Sequence, residues 1–142
     1  MSEKDRVQIL LGEGITFAEM MLKEHGEFHP YGWAMNPEGE AISVAMDMGQ
    51  EFPTGKDVIE ELFNNFRSKG KEGEYIATAV FYDVRVILPN SDVKSDAIAI
   101  ALDDVNGLSL VAFKPYKIEN SSLIFENIFA HKGENKVFSK PS

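Results

Sequence analysis

Between Tyr75 and Phe113 the chain alternates its side-chain character with a period of two, in the runs YIATAVFYDVRVIL and DAIAIALDDVNGLSLVAF. That period sends successive residues to opposite faces of a pleated strand, so the back half of the chain must be built as sheet. Asn106-Gly107 lies between two such runs and is the strongest short-range hairpin signal. The pattern therefore predicts a strand over Tyr75 to Leu88, stopped by Pro89-Asn90, followed by Asp96 to Asp104 and Leu108 to Phe113 as antiparallel neighbours. A last run, Leu123 to Ala130, turns at Lys132-Gly133-Glu134-Asn135 and returns briefly at Lys136 to Phe138.

The front half has a different rhythm. Val7, Leu10, Leu11, Ala18, Met21 and Leu22 fall at helical spacing, with Gly14 inside the stripe. Gly12 and Gly14 each cost about 1 kcal/mol relative to alanine in a helix, so either the helix breaks there or small residues admit a close neighbour. His25-Gly26 supplies a stop, and Pro30 forbids continuation. YGWAM, NPEG and EAISVAMDM then read as two short strands around a turn. Thr54, three residues before Asp57, caps a second helix to about Ser68, whose apolar stripe is Val58, Ile59, Leu62, Phe63 and Phe66. KGKEGE ends it. The expected fold is a single α+β domain over residues 1–142: a mainly antiparallel sheet of five or six strands in the order α-β-β-α-β-β-β-(β), with both helices packed on one face.

Composition narrows the function classes. With 14 Lys and Arg against 23 Asp and Glu, the net charge of −9 repels a phosphate backbone, so nucleic acid is not an expected partner. The same charge suits a binder of basic proteins, because it speeds their encounter. Cysteine is absent, which removes disulfides, thiolate zinc sites and a cysteine nucleophile together. No stretch is apolar enough over a sufficient length to span a bilayer, so the expectation is a cytoplasmic chain with no membrane partner.

Catalytic signatures fail one by one. His25 and His29 in HGEFH lack the glutamate directly after the first histidine that a zinc helix needs, and no metal site is expected. The GEGITF segment lacks the glycine spacing and the lysine of phosphate loops, and no G-x-S-x-G elbow occurs. No cofactor and no enzymatic role is expected. The candidate ligand- or partner-binding residues are Asp83, Arg85, Asp96, Asp103, Asp104, His29 and Tyr31. Asp83 and Arg85 share a strand face, and a carboxylate at Asp96 or Asp103 opposite would hold the Arg85 fork, either as a solvated ion pair or as part of a ligand site. His29 and Tyr31 belong to the aromatic cluster FHPYGW, from which they are the residues expected to face outward.

The FHPYG element after a first helix, the MNPEGE turn, YDVRV and SDAIAIALDD together resemble a set of small bacterial proteins, some of which carry antitoxin or immunity labels. The resemblance covers about Phe28 to Asp104. It implies a stoichiometric module that neutralises a basic partner, with Asp103 and Asp104 in the contact, and it carries no catalytic residues over. Two other readings stay open: a small-molecule-binding domain or enzyme using Asp83, Arg85 and Asp96 between helix and sheet, and a homodimeric scaffold formed through a sheet edge or the Met20-Met21 helix face.

Overall fold

The computed structural model describes residues 1–46, 48–49 and 54–138. Helix α1 spans Glu3–His25 without interruption, so the glycines inside it do not break it. Ser2 caps its start by accepting from the Asp5 amide, and the Asp5 carboxylate returns the bond to the Ser2 amide. Gly26 ends it in the left-handed region at φ 75°, its N–H bonded to the Leu22 carbonyl. Strands β1 (Tyr31–Met35) and β2 (Ala41–Val44) form the first hairpin. The sequence predicts that this strand continues through Met48, but β2 ends at Val44, and Ala45, Met46 and Met48 are not strand; Asp47 lies outside the described residues. Helix α2 (Gly55–Lys71) is capped by the Thr54 hydroxyl on the Asp57 amide. Long strands β3 (Ala77–Ile87), β4 (Lys94–Asp104) and β5 (Ser109–Glu119) follow, then the short β6 (Ser122–Phe125) and β7 (Phe129–Lys132).

The sheet runs β2-β1-β3-β4-β5-β6, antiparallel throughout, with β7 also paired to β5. Seven strands thus occupy six places. The final run divides because β6 pairs Tyr116–Glu119 and β7 pairs Leu110–Phe113, leaving a break opposite Pro115. Even-numbered residues of β5 address β4, so Pro115 directs its missing N–H toward the outer side, where no strand can bond to it. Its carbonyl accepts the Glu126 amide instead. The brief return expected at Lys136 to Phe138 is not a strand: Val137 and Phe138 are buried against α2.

The α+β class, the antiparallel sheet and the order of elements are those the sequence predicts. The placement of the helices differs. Side chains of α1 (Val7, Leu10, Ala18, Leu22) pack with Met35, Ala79, Phe81, Ile98, Ile100 and Leu102, whereas Leu62, Phe63 and Phe66 of α2 pack with Ala34, Val80 and Ala101, the neighbours of opposite parity. The sheet therefore lies between the helices. The reason is legible in its centre, where Ala77–Phe81 and Ala97–Asp104 are buried at every position, the mark of strands covered on both sides.

Two glycines let the layers close. A Cβ on Gly14 would stand 2.1 Å from the Phe81 ring, and one on Gly32 would stand 2.6 Å from Phe66. At Gly14 the helix touches the sheet so closely that the Tyr31 hydroxyl enters its ladder: it donates to the Gly14 carbonyl and accepts the Ala18 amide at 3.0 Å, the two groups that an i to i−4 bond would otherwise join. Tyr31 stacks on Phe81 with ring centroids 4.9 Å apart, and Phe17 meets it edge-on. Gly12 has no such duty, since nothing lies within 4 Å of where its Cβ would be. Gly14→Ala is therefore expected to cost about 1–3 kcal/mol through overpacking, and Gly12→Ala to gain about 1 kcal/mol of helix propensity. Urea unfolding of the two variants checks the opposite signs.

Candidate functional site

The candidate residues divide by burial. Asp103 and Asp104 both point inward, at 4% and 1% exposure, and do not form an acidic surface at the hairpin mouth. Asp104 grips Arg6 in a two-pronged bond, Nε to Oδ2 at 2.7 Å and a terminal nitrogen to Oδ1 at 2.8 Å, and its Oδ1 also receives the Asn106 amide. Arg6 is itself buried and completes its set on the Met1 carbonyl. This pair fastens the start of α1 to the end of β4. Asp103 lies on the opposite face, accepts the Ser109 hydroxyl at 2.7 Å, and has burial pushing its carboxyl above the usual range against that hydrogen bond. Ser109 Oγ in turn receives the Asn135 amide, so Asp103 anchors the segment that delivers Val137 and Phe138 to α2. Contact of either acid with a partner is thereby excluded, because neither reaches the surface.

Asp83, Arg85 and Asp96 do share one face, the face covered elsewhere by α1. Register places Arg85 opposite Asp96 and Asp96 opposite Tyr116. Arg85 bonds Asp96 at 3.3 Å, with the two side chains 64% and 52% exposed, the geometry of a solvated cross-strand pair worth under about 1 kcal/mol. Asp83 instead accepts the hydroxyl of Tyr116 at 2.8 Å. Partial burial raises the Asp83 carboxyl, opposed by that hydrogen bond, and burial followed by Asp83 itself drives the Tyr116 hydroxyl upward. Arg85, Asp96 and Tyr116 line a polar cleft of about 320 Å³ together with Lys94, Lys117 and Glu126.

His29 is exposed as expected, but Tyr31 is not: its hydroxyl is spent inside α1, and its burial raises its titration. His29 and Asp83 border a cleft of about 580 Å³ at the start of α2, walled by Phe28, Phe63 and Tyr82 and carrying Lys56 and Lys136. A further groove runs beside α1. Two clefts of about 430 and 530 Å³ both include Gln8 and Leu11; the first has Val7, Leu102, Leu108, Leu110 and Ala112, the second Gly12, Ile15 and Ile128. Sequence reasoning missed this groove, Tyr116 and Arg6. Arg6 could have been found, since it precedes Leu10, Gly14, Ala18 and Leu22 at steps of four on the buried stripe.

Among the described residues no three His, Asp or Glu side chains are arranged to hold a metal ion, and no helix is long and apolar enough to cross a membrane.

The two neighbouring aspartates should respond oppositely to amidation. Asp104→Asn leaves buried Arg6 without its carboxylate and is expected to cost about 3–5 kcal/mol at neutral pH. Asp103 binds its proton more tightly folded than unfolded, so stability present at acid pH is lost as pH rises from the ordinary value near 4 toward the folded one. Asp103→Asn removes that loss, and its stability relative to the parent is expected to improve between about pH 4 and pH 7, read by denaturant unfolding at each pH. No family model matches the chain, and neither a curated protein nor a solved structure is significantly similar to it.

Proposed function

We propose that the chain is a cytoplasmic protein-binding module that receives an apolar, basic-flanked helix of a partner in the groove beside α1, as an antitoxin- or immunity-type neutraliser would. The observation that carries this reading is the groove itself. It follows α1 from Glu3 to Ile15, about 18 Å at the helical rise, which matches a helix of about three turns. Leu102, Leu110 and Ala112 form its floor, Val7, Leu11 and Ile15 its wall, and Gly12 leaves a notch where a second backbone can come close. Glu3 with Lys4 and Glu126 with Lys114 stand at its ends, so the charge there is balanced, and it is the net charge of −9 that favours a basic flank on the incoming helix. Asp103 and Asp104 hold the scaffold together and make no contact with the partner.

The test is affinity capture from the chain's own host with the parent and with Leu11→Glu, at low and moderate salt. The reading expects one basic protein in stoichiometric amount, weakened by salt and lost in Leu11→Glu while the variant keeps its unfolding transition. A parent that retains nothing, or a partner held equally by the variant, overturns it.

The second reading, a small-molecule site, is favoured by the 580 Å³ cleft, whose size lies in the ordinary ligand-pocket range and whose Lys56, Lys136 and His29, set against Glu60 and Asp83, offer cations to an anionic group on an apolar body. It expects a thermal shift with aromatic carboxylates or phosphates that is lost in the double variant Lys56→Ala/Lys136→Ala. Absence of any shift across such a panel removes it.

A further inference from the structure

Strand β3 is longer than its neighbour on one side. Against β4 it is paired from Ala77 to Ile87, but against β1 only from Ala77 to Phe81. Among the described residues no strand pairs Tyr82–Ile87 on the β1 side, and no backbone bond from another segment reaches it. The 580 Å³ cleft lies beside Tyr82, Asp83 and Val84, with Phe28, His29 and Pro30 and the start of α2 as its other walls.

The direction of the unpaired groups can be worked out. The β3–β4 turn closes with the Leu88 amide on the Val93 carbonyl, so the even residues of β3 address β4. Asp83, Arg85 and Ile87 therefore turn their backbone N–H and C=O toward the open side. A further strand can bond there only through residues whose own groups face outward, and in β3 of a second copy those are the same odd positions.

From this we infer that a second copy of the chain docks on the open half of β3, antiparallel about a two-fold axis through Val84. Parity leaves three adjacent registers, and charge separates them. An axis at Asp83 places two aspartates face to face, and an axis at Arg85 does the same with two arginines. An axis at Val84 sets Asp83 opposite Arg85 of the second copy and Arg85 opposite its Asp83, each a pair that exchanges both backbone bonds. On the other face Val84 meets Val84, and Tyr82 meets Val86. Arg85 has donors to give, since its bond to Asp96 uses one nitrogen at 3.3 Å. The two sheets become one continuous sheet. This surface is separate from the groove beside α1, so the inference does not rest on the function proposed above.

Molar mass by light scattering across a concentration series, at about 0.15 M salt, tests it. The parent is expected to approach twice 15.9 kDa. Asp83→Arg and Arg85→Asp each oppose like charges across the axis and are expected to remain monomers. Mixing these two variants sets the two arginines of one chain opposite the two aspartates of the other, and is expected to give a heterodimer. The double exchange Asp83→Arg/Arg85→Asp in one chain keeps unlike charges across the axis and is expected to give a homodimer. A monomeric parent, a dimer untouched by the single changes, or a mixture that stays monomeric overturns the inference. Should either variant fail to fold, hydrogen exchange of the parent decides: amides of Asp83 and Arg85 must gain protection as concentration rises, and equal exchange at all concentrations overturns it.

Discussion

The close approach of α1 to the sheet at Gly14 sets the spacing on which the rest of this molecule depends. A helix normally stands off a sheet by the bulk of its side chains, but here the absence of one Cβ brings the Phe81 ring against the helix backbone. Tyr31 then completes the seam from the sheet side, with its ring on Phe81 and its hydroxyl among the helix amides and carbonyls. A tyrosine that satisfies a helix in this way is part of the helix's own hydrogen bonding, so α1 and β1 are bonded as one unit. On the other side of β1, Gly32 performs the same service for Phe66 of α2. Because Gly32 adjoins Tyr31 in sequence, the two helices are seated from neighbouring positions of a single strand.

The second constraint is electrostatic. In a chain with net charge −9 the ordinary place for an acid is the surface, yet two adjacent aspartates are buried on opposite faces of β4. Asp104 meets the cost of desolvation through a forked arginine and a backbone amide, whereas Asp103 has a serine hydroxyl and, among the described residues, no ion pair, with Lys136 acting on it only from a distance. The first joins the ends of the chain's long-range order, residue 6 to residue 104; the second holds the last described segment over α2. Both are fold-determining, which leaves the exposed carboxylates elsewhere in the chain to give the surface its sign.

Much of this could be read from the residues. Asn106-Gly107, the Thr54 cap and the Gly26 stop each announce a backbone conformation locally, and each is found where the pattern puts it. The placement of α2 was legible but obscured: AIAIAL alternates small with large rather than polar with apolar, and a strand without polar positions has two covered faces. β5 extends past Phe113 because Pro115 breaks a strand only where its N–H is needed, and strand pattern does not tell which way that group points. For the candidate site, the period of two put Asp83 and Arg85 on one face and left either Asp96 or Asp103 as the acid opposite, and it could not say that Arg6, 98 residues away, would claim Asp104. Ion pairs of such separation are fixed by topology, and so is the groove beside α1, which exists because one helix is too narrow to cover six strands.

Pro115 also shapes what this sheet can do at its far side. A continuous eleven-residue strand such as β5 would template an equally long addition from any unfolded chain nearby, the route by which sheets grow into fibrils. By withholding one N–H at its middle, the proline obliges its covering to arrive as two four-residue pieces with a loop between them. Growth past β5 is thereby segmented: each outer piece offers too few bonds in a row to seed another full strand, and the outer edge of the sheet terminates itself.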